Sequence, residues 1–223
     1  MNSELQRLNT RLCLKFKDYI SMIATGSIAT NDPFMQGRSD NDILLIFENN
    51  PEVHLPAIED ILSESELDDT FLLTPLTKEH FIGPKNTTFD FTNRYRSRTL
   101  FGEDLVLKAK LPSRETTKKI YTSGLEKVRR RLQSALANTS YWSTEKIRDK
   151  FWKQFKHAFM FLAIKGYYNS GEYPINRVDI ARQFDSDELR YAVSVLHSID
   201  LRSKEEILGA ARGVVSYLDY KNI

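Results

Sequence analysis

The pattern of apolar residues changes near residue 112, and this change limits the possible folds more than any other feature. Before it, short apolar runs at 20–25, 42–47 and 70–76 alternate with polar turns. After it come four long amphipathic runs, at 114–138, 144–168, 187–197 and 204–220. Short apolar runs indicate strands, and a period of 3.6 residues indicates helices. We therefore expect an α+β protein, with a small mixed β-sheet domain in residues 1–112 and an α-helical bundle domain in residues 113–223.

Further elements are expected around these strands in the first half. Leu5, Leu8 and Leu12 fall at helical spacing within a helix over 2–19, and a second helix is expected over 55–67. The segment 87–92 alternates polar and apolar residues after Gly83-Pro84, which predicts a fourth strand. A short helical segment is expected over 95–110.

Helix-start signals and a run of aromatic residues support the helical second half. Ser203 with Glu206, and Asp185 with Glu188, have the spacing of capping boxes. Five apolar residues of the 144–168 run are expected in the bundle core: Phe151, Trp152, Phe155, Phe159 and Leu162.

Composition is that of an ordinary globular protein, with 41% hydrophobic and 28% charged residues. The longest apolar run, 158–164, is too short to span a bilayer, so no membrane association is expected. The first residues lack the apolar stretch of a secretory signal, which favours a cytoplasmic protein. The single cysteine, Cys13, excludes an intramolecular disulfide and is expected on the buried face of the first helix.

Charge is divided unevenly between the two halves. Residues 1–112 hold 12 Lys and Arg against 17 Asp and Glu, whereas residues 113–223 hold 20 against 13. Such a division suits an enzyme that uses metal ions and phosphates, although it also occurs in proteins that bind neither.

The segment from Thr25 to Phe47 carries the most chemical information. Gly26-Ser27 follows a predicted strand, where glycine lets the backbone turn and approach a phosphate closely. The serine hydroxyl and nearby N–H groups can hold phosphate oxygens at a helix N-terminus. Asp40 and Asp42 lie at the start of the next strand, and their separation of two residues places both carboxylates on one face of a sheet.

Two carboxylates beside substrate phosphates suit Mg²⁺, which prefers oxygen ligands. Two such ions, about 3.5–4 Å apart, could activate an acceptor hydroxyl and stabilise a leaving pyrophosphate. Asp90 is the candidate for a third acid, with its flanking phenylalanines directed to the opposite face of the strand. Asp68 and Asp69 are its rivals, although their place before a strand suits a turn better.

Gly-Ser followed at this distance by Asp-x-Asp and an apolar strand resembles the DNA polymerase β-like nucleotidyltransferase superfamily. The order of elements is similar to its small bacterial and archaeal branch, which includes aminoglycoside and minimal nucleotidyltransferases. The resemblance implies that the chain transfers a nucleoside monophosphate from an NTP, with ATP as the expected co-substrate, in the presence of two Mg²⁺ ions. The site residues it implies are Gly26, Ser27 and Ser39 for the nucleotide, and Asp40, Asp42 and Asp90 for metal binding and catalysis.

This chain departs from the family pattern at two positions. Asn41 separates the two aspartates where the family usually has an aliphatic residue, and Ile28 follows Gly-Ser where an arginine is common. Arg38 could substitute for that arginine. Asn41 keeps open a non-catalytic nucleotide-binding or scaffold protein on the same fold.

The acceptor is not defined by the sequence. A small molecule, a protein hydroxyl and an RNA terminus all stay open, as do the identity of the NTP and the oligomeric state. The basic second half favours the RNA-end alternative, and nucleic acid is a possible but not the favoured partner. Lys146, Lys150, Lys153 and His157 share one helical face, for which a solvated surface is the simpler interpretation.

Overall fold

The structure is a computed structural model that describes residues 3–30, 41–65, 67 and 71–220. Ser39, Asp40, Asp68 and Asp69 lie outside the described residues, and so does Arg38. The chain divides into two compact units, Met1–Pro112 and Ser113–Ile223. The first unit contains the sheet, and the second consists of helices joined by short connections.

In its described residues, the first unit combines four α-helices with four strands. Its helices are α1 (Ser3–Lys15), α2 (Leu55–Ser63), α3 (Lys78–Ile82) and α4 (Thr88–Tyr95). Its strands are β1 (Tyr19–Thr25), β2 (Asn41–Phe47), β3 (Phe71–Thr77) and β4 (Ser97–Gly102). The described strands form one mixed sheet in the order β3-β2-β1-β4, in which β1 is antiparallel to β2 and β4, and β2 is parallel to β3. The expected mixed sheet, including its first three strands, is confirmed.

Alternation along the strands gives the sheet two buried faces. Met22 and Ala24 of β1 pack with Ile43 and Leu45 of β2 and with α1 and α2. Ile23 of β1 and the alternate β2 residues pack on the other face, against Phe81 of α3. The predicted apolar face of α1 is confirmed, whereas Cys13 is exposed rather than buried.

Two sequence-based predictions in this unit are wrong. Residues 88–92 belong to helix α4 instead of a strand, because Thr87 caps the helix and its side chain accepts the Phe89 N–H at 3.2 Å. The segment expected to be helical at 95–110 contains strand β4. The strand is stabilised by backbone hydrogen bonds to the edge of β1. The polar sequence of β4 does not by itself indicate a strand.

The second unit contains α5 (Arg114–Ala137), α6 (Thr144–Ser170), α7 (Arg177–Gln183), α8 (Asp187–His197) and α9 (Lys204–Tyr220). Four of these helices were predicted, and α7 was not. The five core residues expected on α6 are all buried. Ser203 and Glu206 form the predicted reciprocal capping bonds, at 3.2 and 2.9 Å. At α8, however, the capping residue is Ser186, one position later than predicted.

None of the helices in the described part of the chain combines the length and apolar character needed to cross a bilayer.

Candidate functional site

The chain turns sharply where β1 ends. Gly26 has φ +70°, in the left-handed region that favours glycine, and begins a single 3₁₀ turn over Gly26–Ile28. The Gly26 N–H donates to the carbonyl of Arg96 at 3.0 Å, and the Ala29 N–H donates to the Gly26 carbonyl at 3.2 Å. The expected helix N-terminus is therefore one short turn. The Gly26 amide is already occupied, so Gly26 contributes its conformation and its lack of a side chain.

Asp42 lies beside this turn, near the start of β2. In the antiparallel register Asp42 pairs with Thr25, the residue that precedes Gly26. A β-carbon placed on Gly26 would lie 3.4 Å from Oδ2 of Asp42, so no protein side chain separates the glycine from the carboxylate. The Asp42 side chain is half-buried. Alternation along β2 places it on the same face as Leu44 and Ile46.

Ser27 is half-buried within the same turn, one residue after Gly26. The described part of the site thus consists of a glycine turn, a serine and one carboxylate at one end of the sheet. Two of its expected members, Ser39 and Asp40, lie outside the described residues, so their placement stays a prediction.

Asp90 has a structural role on α4. Its Oδ1 accepts the Lys85 N–H at 2.8 Å, and its Oδ2 accepts the Thr87 N–H at 3.0 Å. The side chain is only 2% exposed. The bond to the Thr87 N–H and the hydrogen bond that the Thr87 hydroxyl accepts form a capping box, and the bond to Lys85 holds the loop before it. The assignment of Asp90 to a strand facing the first two aspartates is therefore corrected, because both of its oxygens hold the start of a helix.

Arg96 is a site neighbour that the sequence analysis did not select. Its carbonyl accepts the Gly26 N–H, and it lies directly before β4. Its side chain is half-buried. The sequence signal for Arg96 is its place directly before a strand, and the helix predicted over 95–110 did not indicate it.

Comparisons with known proteins assign no family to this chain. No protein-family profile matches the sequence, and no curated protein matches it. Its fold is similar to a solved structure of spectinomycin adenyltransferase from Enterococcus faecialis with ATP and spectinomycin. The two chains share 11% identity over 97% of this chain and 98% of the other, with a TM-score of 0.49. At this level the similarity assigns no function or residue role.

The carboxylate of Asp42 is suited to be one ligand of a hard cation such as Mg²⁺. The Asp42 carboxylate is half-buried at a strand end and borders the backbone of a glycine, and carboxylate oxygens are the ligands that Mg²⁺ prefers. Among the residues that the structure describes, no group of three or more His, Cys, Asp or Glu side chains could hold a metal ion. Of the three expected metal ligands, Asp42 is described at the sheet end, Asp90 is described at the start of α4, and Asp40 lies outside the described residues.

Proposed function

We propose that this chain transfers a nucleoside monophosphate from an NTP to an acceptor hydroxyl. The observation that supports the proposal is the contact between the glycine turn and Asp42. Glycine lets a phosphate chain approach the backbone closely and a carboxylate binds a divalent cation, so Gly26 beside Asp42 suits a site that holds both. The sequence resemblance to the polymerase β-like superfamily supports the same chemistry.

In the proposed reaction, the acceptor oxygen attacks the α-phosphorus, and the bond from that phosphorus to the oxygen bridging the β-phosphate breaks. Pyrophosphate leaves, and the hydroxyl proton passes to a carboxylate. Asp42, with Asp40, would hold Mg²⁺, which supplies charge neutralisation and lowers the pKa of the acceptor hydroxyl when bound. Ser27 would position the triphosphate. Most of the rate enhancement would then come from orientation and electrostatic stabilisation.

We assign the proton acceptor to Asp68 or Asp69 in place of Asp90. Both precede β3 in the sequence, and β3 runs parallel to β2, with Phe71 beside Asn41 and Leu72 beside Asp42. Neighbouring parallel strands begin at the same end of a sheet. The chain therefore enters β3 at the end of the sheet where Asp42 lies. Asp90 is unsuited to this role because two backbone N–H groups already occupy its carboxylate.

The decisive experiment is mass spectrometry of candidate acceptors after incubation with mixed NTPs and Mg²⁺, with pyrophosphate release measured in parallel. An aminoglycoside panel, a protein extract and a pool of short RNAs cover the three acceptor classes. We expect an added nucleoside monophosphate on one class, lost when the metal is chelated. NTP binding without pyrophosphate release from any class would instead identify a non-catalytic nucleotide-binding protein.

A further inference from the structure

The positive charge of the second unit is concentrated on two helices. α5 and α6 together carry thirteen Lys and Arg against four Asp and Glu. The rest of residues 113–223 carries seven against nine. The excess positive charge of this unit therefore belongs entirely to α5 and α6.

These two helices pack side by side in opposite directions. The rings of Tyr121 and Tyr168 are 5.4 Å apart, and the Phe161 ring occupies the space that Gly124 leaves open. A β-carbon on Gly124 would lie 2.2 Å from that ring, so the glycine permits the close approach. Later residues of α5 consequently meet earlier residues of α6, and basic side chains from both helices share one surface.

We call this surface the basic face. It consists of six exposed side chains: Lys127, Arg130 and Arg131 of α5, and Lys150, Lys153 and Lys156 of α6. His157 lies half-buried among them. Burial lowers the pKa of His157, and the positive charges of Arg131, Lys156 and Lys127 lower it further. Lys127 and Arg131 belong to α5 and Lys156 to α6, so cations of both helices lie near the same imidazole. The two helices therefore contribute to a single positive region.

Much of this charge is not neutralised within the protein. In the described parts of the chain, Lys127, Arg131, Lys150 and Lys153 make no ion pair. Arg130 differs, since its Nε lies 2.6 Å from Glu126. Exposed cations at about one per helical turn, or roughly 5–6 Å apart along each helix, form a row that suits a polyanion.

Aromatic rings lie at one end of the basic face, in the connection between α5 and α6. Tyr141 is 89% exposed, and the Lys146 ammonium lies 5.2 Å from the ring centre of Trp142. Lys146 is one helical turn from Lys150 and links the Trp142 ring to the row of cations, and Tyr141 precedes Trp142 in the sequence. An exposed ring next to a row of cations offers a base a stacking surface.

We propose that the basic face binds a single-stranded nucleic acid, with phosphates held by Lys127, Arg131 and Lys153 and an unpaired base stacked on Tyr141. A nucleic acid fits better than an acidic protein, because charged residues, lysine in particular, are depleted at the centre of protein interfaces. On α5, Ser123, Glu126 and Ser134 line the same hollow as the basic residues, and the aromatic rings lie at the end of the face. This inference does not depend on nucleotidyl transfer.

Fluorescence anisotropy of the full chain with a labelled single-stranded RNA of about twenty nucleotides tests the proposal. The triple variant Lys127→Gln, Arg131→Gln, Lys153→Gln should bind at least about tenfold more weakly at ~100 mM salt. Its plot of log affinity against log salt should be shallower by about 2, since each phosphate contact on a single strand contributes about 0.7.

The matched control removes three positive charges elsewhere. Lys110, Arg182 and Arg212 are exposed and lie outside α5 and α6, and their triple glutamine variant should bind within about twofold of the wild type. Equal losses in the two triple variants would overturn the proposal. So would the absence of binding by the wild-type chain, or equally tight binding of poly-glutamate, which would indicate an acidic-protein surface.

Tyr141→Ala separates stacking from charge. It should weaken binding about tenfold while leaving the salt dependence unchanged, because loss of a stacked base removes no phosphate contact. Tyr220→Ala, which removes a ring that is 80% exposed on α9, is the control and should have no effect. DNA of the same sequence, and a duplex, show whether the sugar or base pairing matters. Tighter binding of the duplex would contradict the single-strand assignment.

Discussion

Gly26 and Asp42 are direct neighbours at the end of the sheet, with Oδ2 of Asp42 only 3.4 Å from the point where a β-carbon on Gly26 would lie. Gly26 also has a backbone conformation, φ +70°, that other residues rarely adopt. The glycine thus has two separable functions: it permits the turn, and it keeps a side chain of its own away from the carboxylate.

Gly26→Ala should reduce both stability and nucleotidyl transfer. The left-handed conformation costs a non-glycine residue about 1–2 kcal/mol, and the new methyl group would lie in contact with Oδ2 of Asp42. Gly171→Ala is the matched control, because Gly171 has φ +79° and a β-carbon added there would meet open space. Thermal melts of the two variants should fall similarly, while only Gly26→Ala slows pyrophosphate release. Equal activity of both variants would show that the space beside Asp42 has no catalytic importance.

Asp42→Asn should abolish transfer and preserve the fold. The amide has nearly the same shape but is a poor Mg²⁺ ligand, so transfer should fall by about two orders of magnitude or more. Asp60→Asn alters an exposed carboxylate on α2 of the same unit and should change nothing. Pyrophosphate release and thermal melts of both variants provide the comparison. A collapsed melt for Asp42→Asn would instead assign the residue a structural role.

Asp90→Asn should affect stability and not chemistry. The amide has one acceptor oxygen, so one of the two backbone N–H groups that Asp90 binds loses its partner in a nearly fully buried position. We expect a loss of about 1–3 kcal/mol in the free energy of unfolding, measured in urea, with normal activity per folded molecule.

For Asp68→Asn and Asp69→Asn we expect an effect on chemistry, in contrast to Asp90→Asn. One of them should lose transfer, because we assign the proton acceptor to this pair. If Asp90→Asn is the inactive variant and both others are active, Asp90 is the third acid after all.

Alkaline pH should destabilise the protein through Tyr217. Burial raises the pKa of Tyr217 to about 12, and the charge of Glu188 contributes. Between pH 10 and 12 the phenol ionises in the unfolded chain but not in the folded one, so its contribution is complete below pH 10 and is lost as pH rises. At pH 11 the loss should be about 1.4 kcal/mol.

Urea unfolding at pH 9 and pH 11 measures this effect in the wild type and in Tyr217→Phe. Between the two pH values, the free energy of unfolding of Tyr217→Phe should fall by about 1.4 kcal/mol less than that of the wild type. Tyr220→Phe, at an exposed position, should behave as the wild type. An identical pH dependence of the wild type and Tyr217→Phe would contradict the prediction.

Long periodic segments were predictable from the sequence. The four helices α5, α6, α8 and α9 begin where predicted, and each ends at the predicted residue or within two residues of it. Each has several turns, so many residues report the same period. The seven-residue α7 was missed because so short a segment carries little periodicity.

Short segments with competing signals were not predictable in the same way. Residues 87–92 alternate like a strand, yet Thr87 and Asp90 also have the spacing of a helix cap, and the cap decides the conformation. The cap was visible in the sequence as a threonine followed three residues later by an acid. Only the structure shows how strongly the cap stabilises the helix, since Asp90 is buried and both of its oxygens accept hydrogen bonds.

The sequence by itself determined the segments of the candidate site: a strand ending at Gly26-Ser27, and a strand starting near Asp42. Local preference was sufficient there, because apolar alternation and glycine act within a few residues. Only the tertiary structure decided that Thr25 pairs with Asp42, that β4 adds to the edge of β1, and that α5 and α6 join their charges into one surface. Strand register and helix packing depend on contacts between distant residues, and the energy of those contacts exists only once the chain has folded.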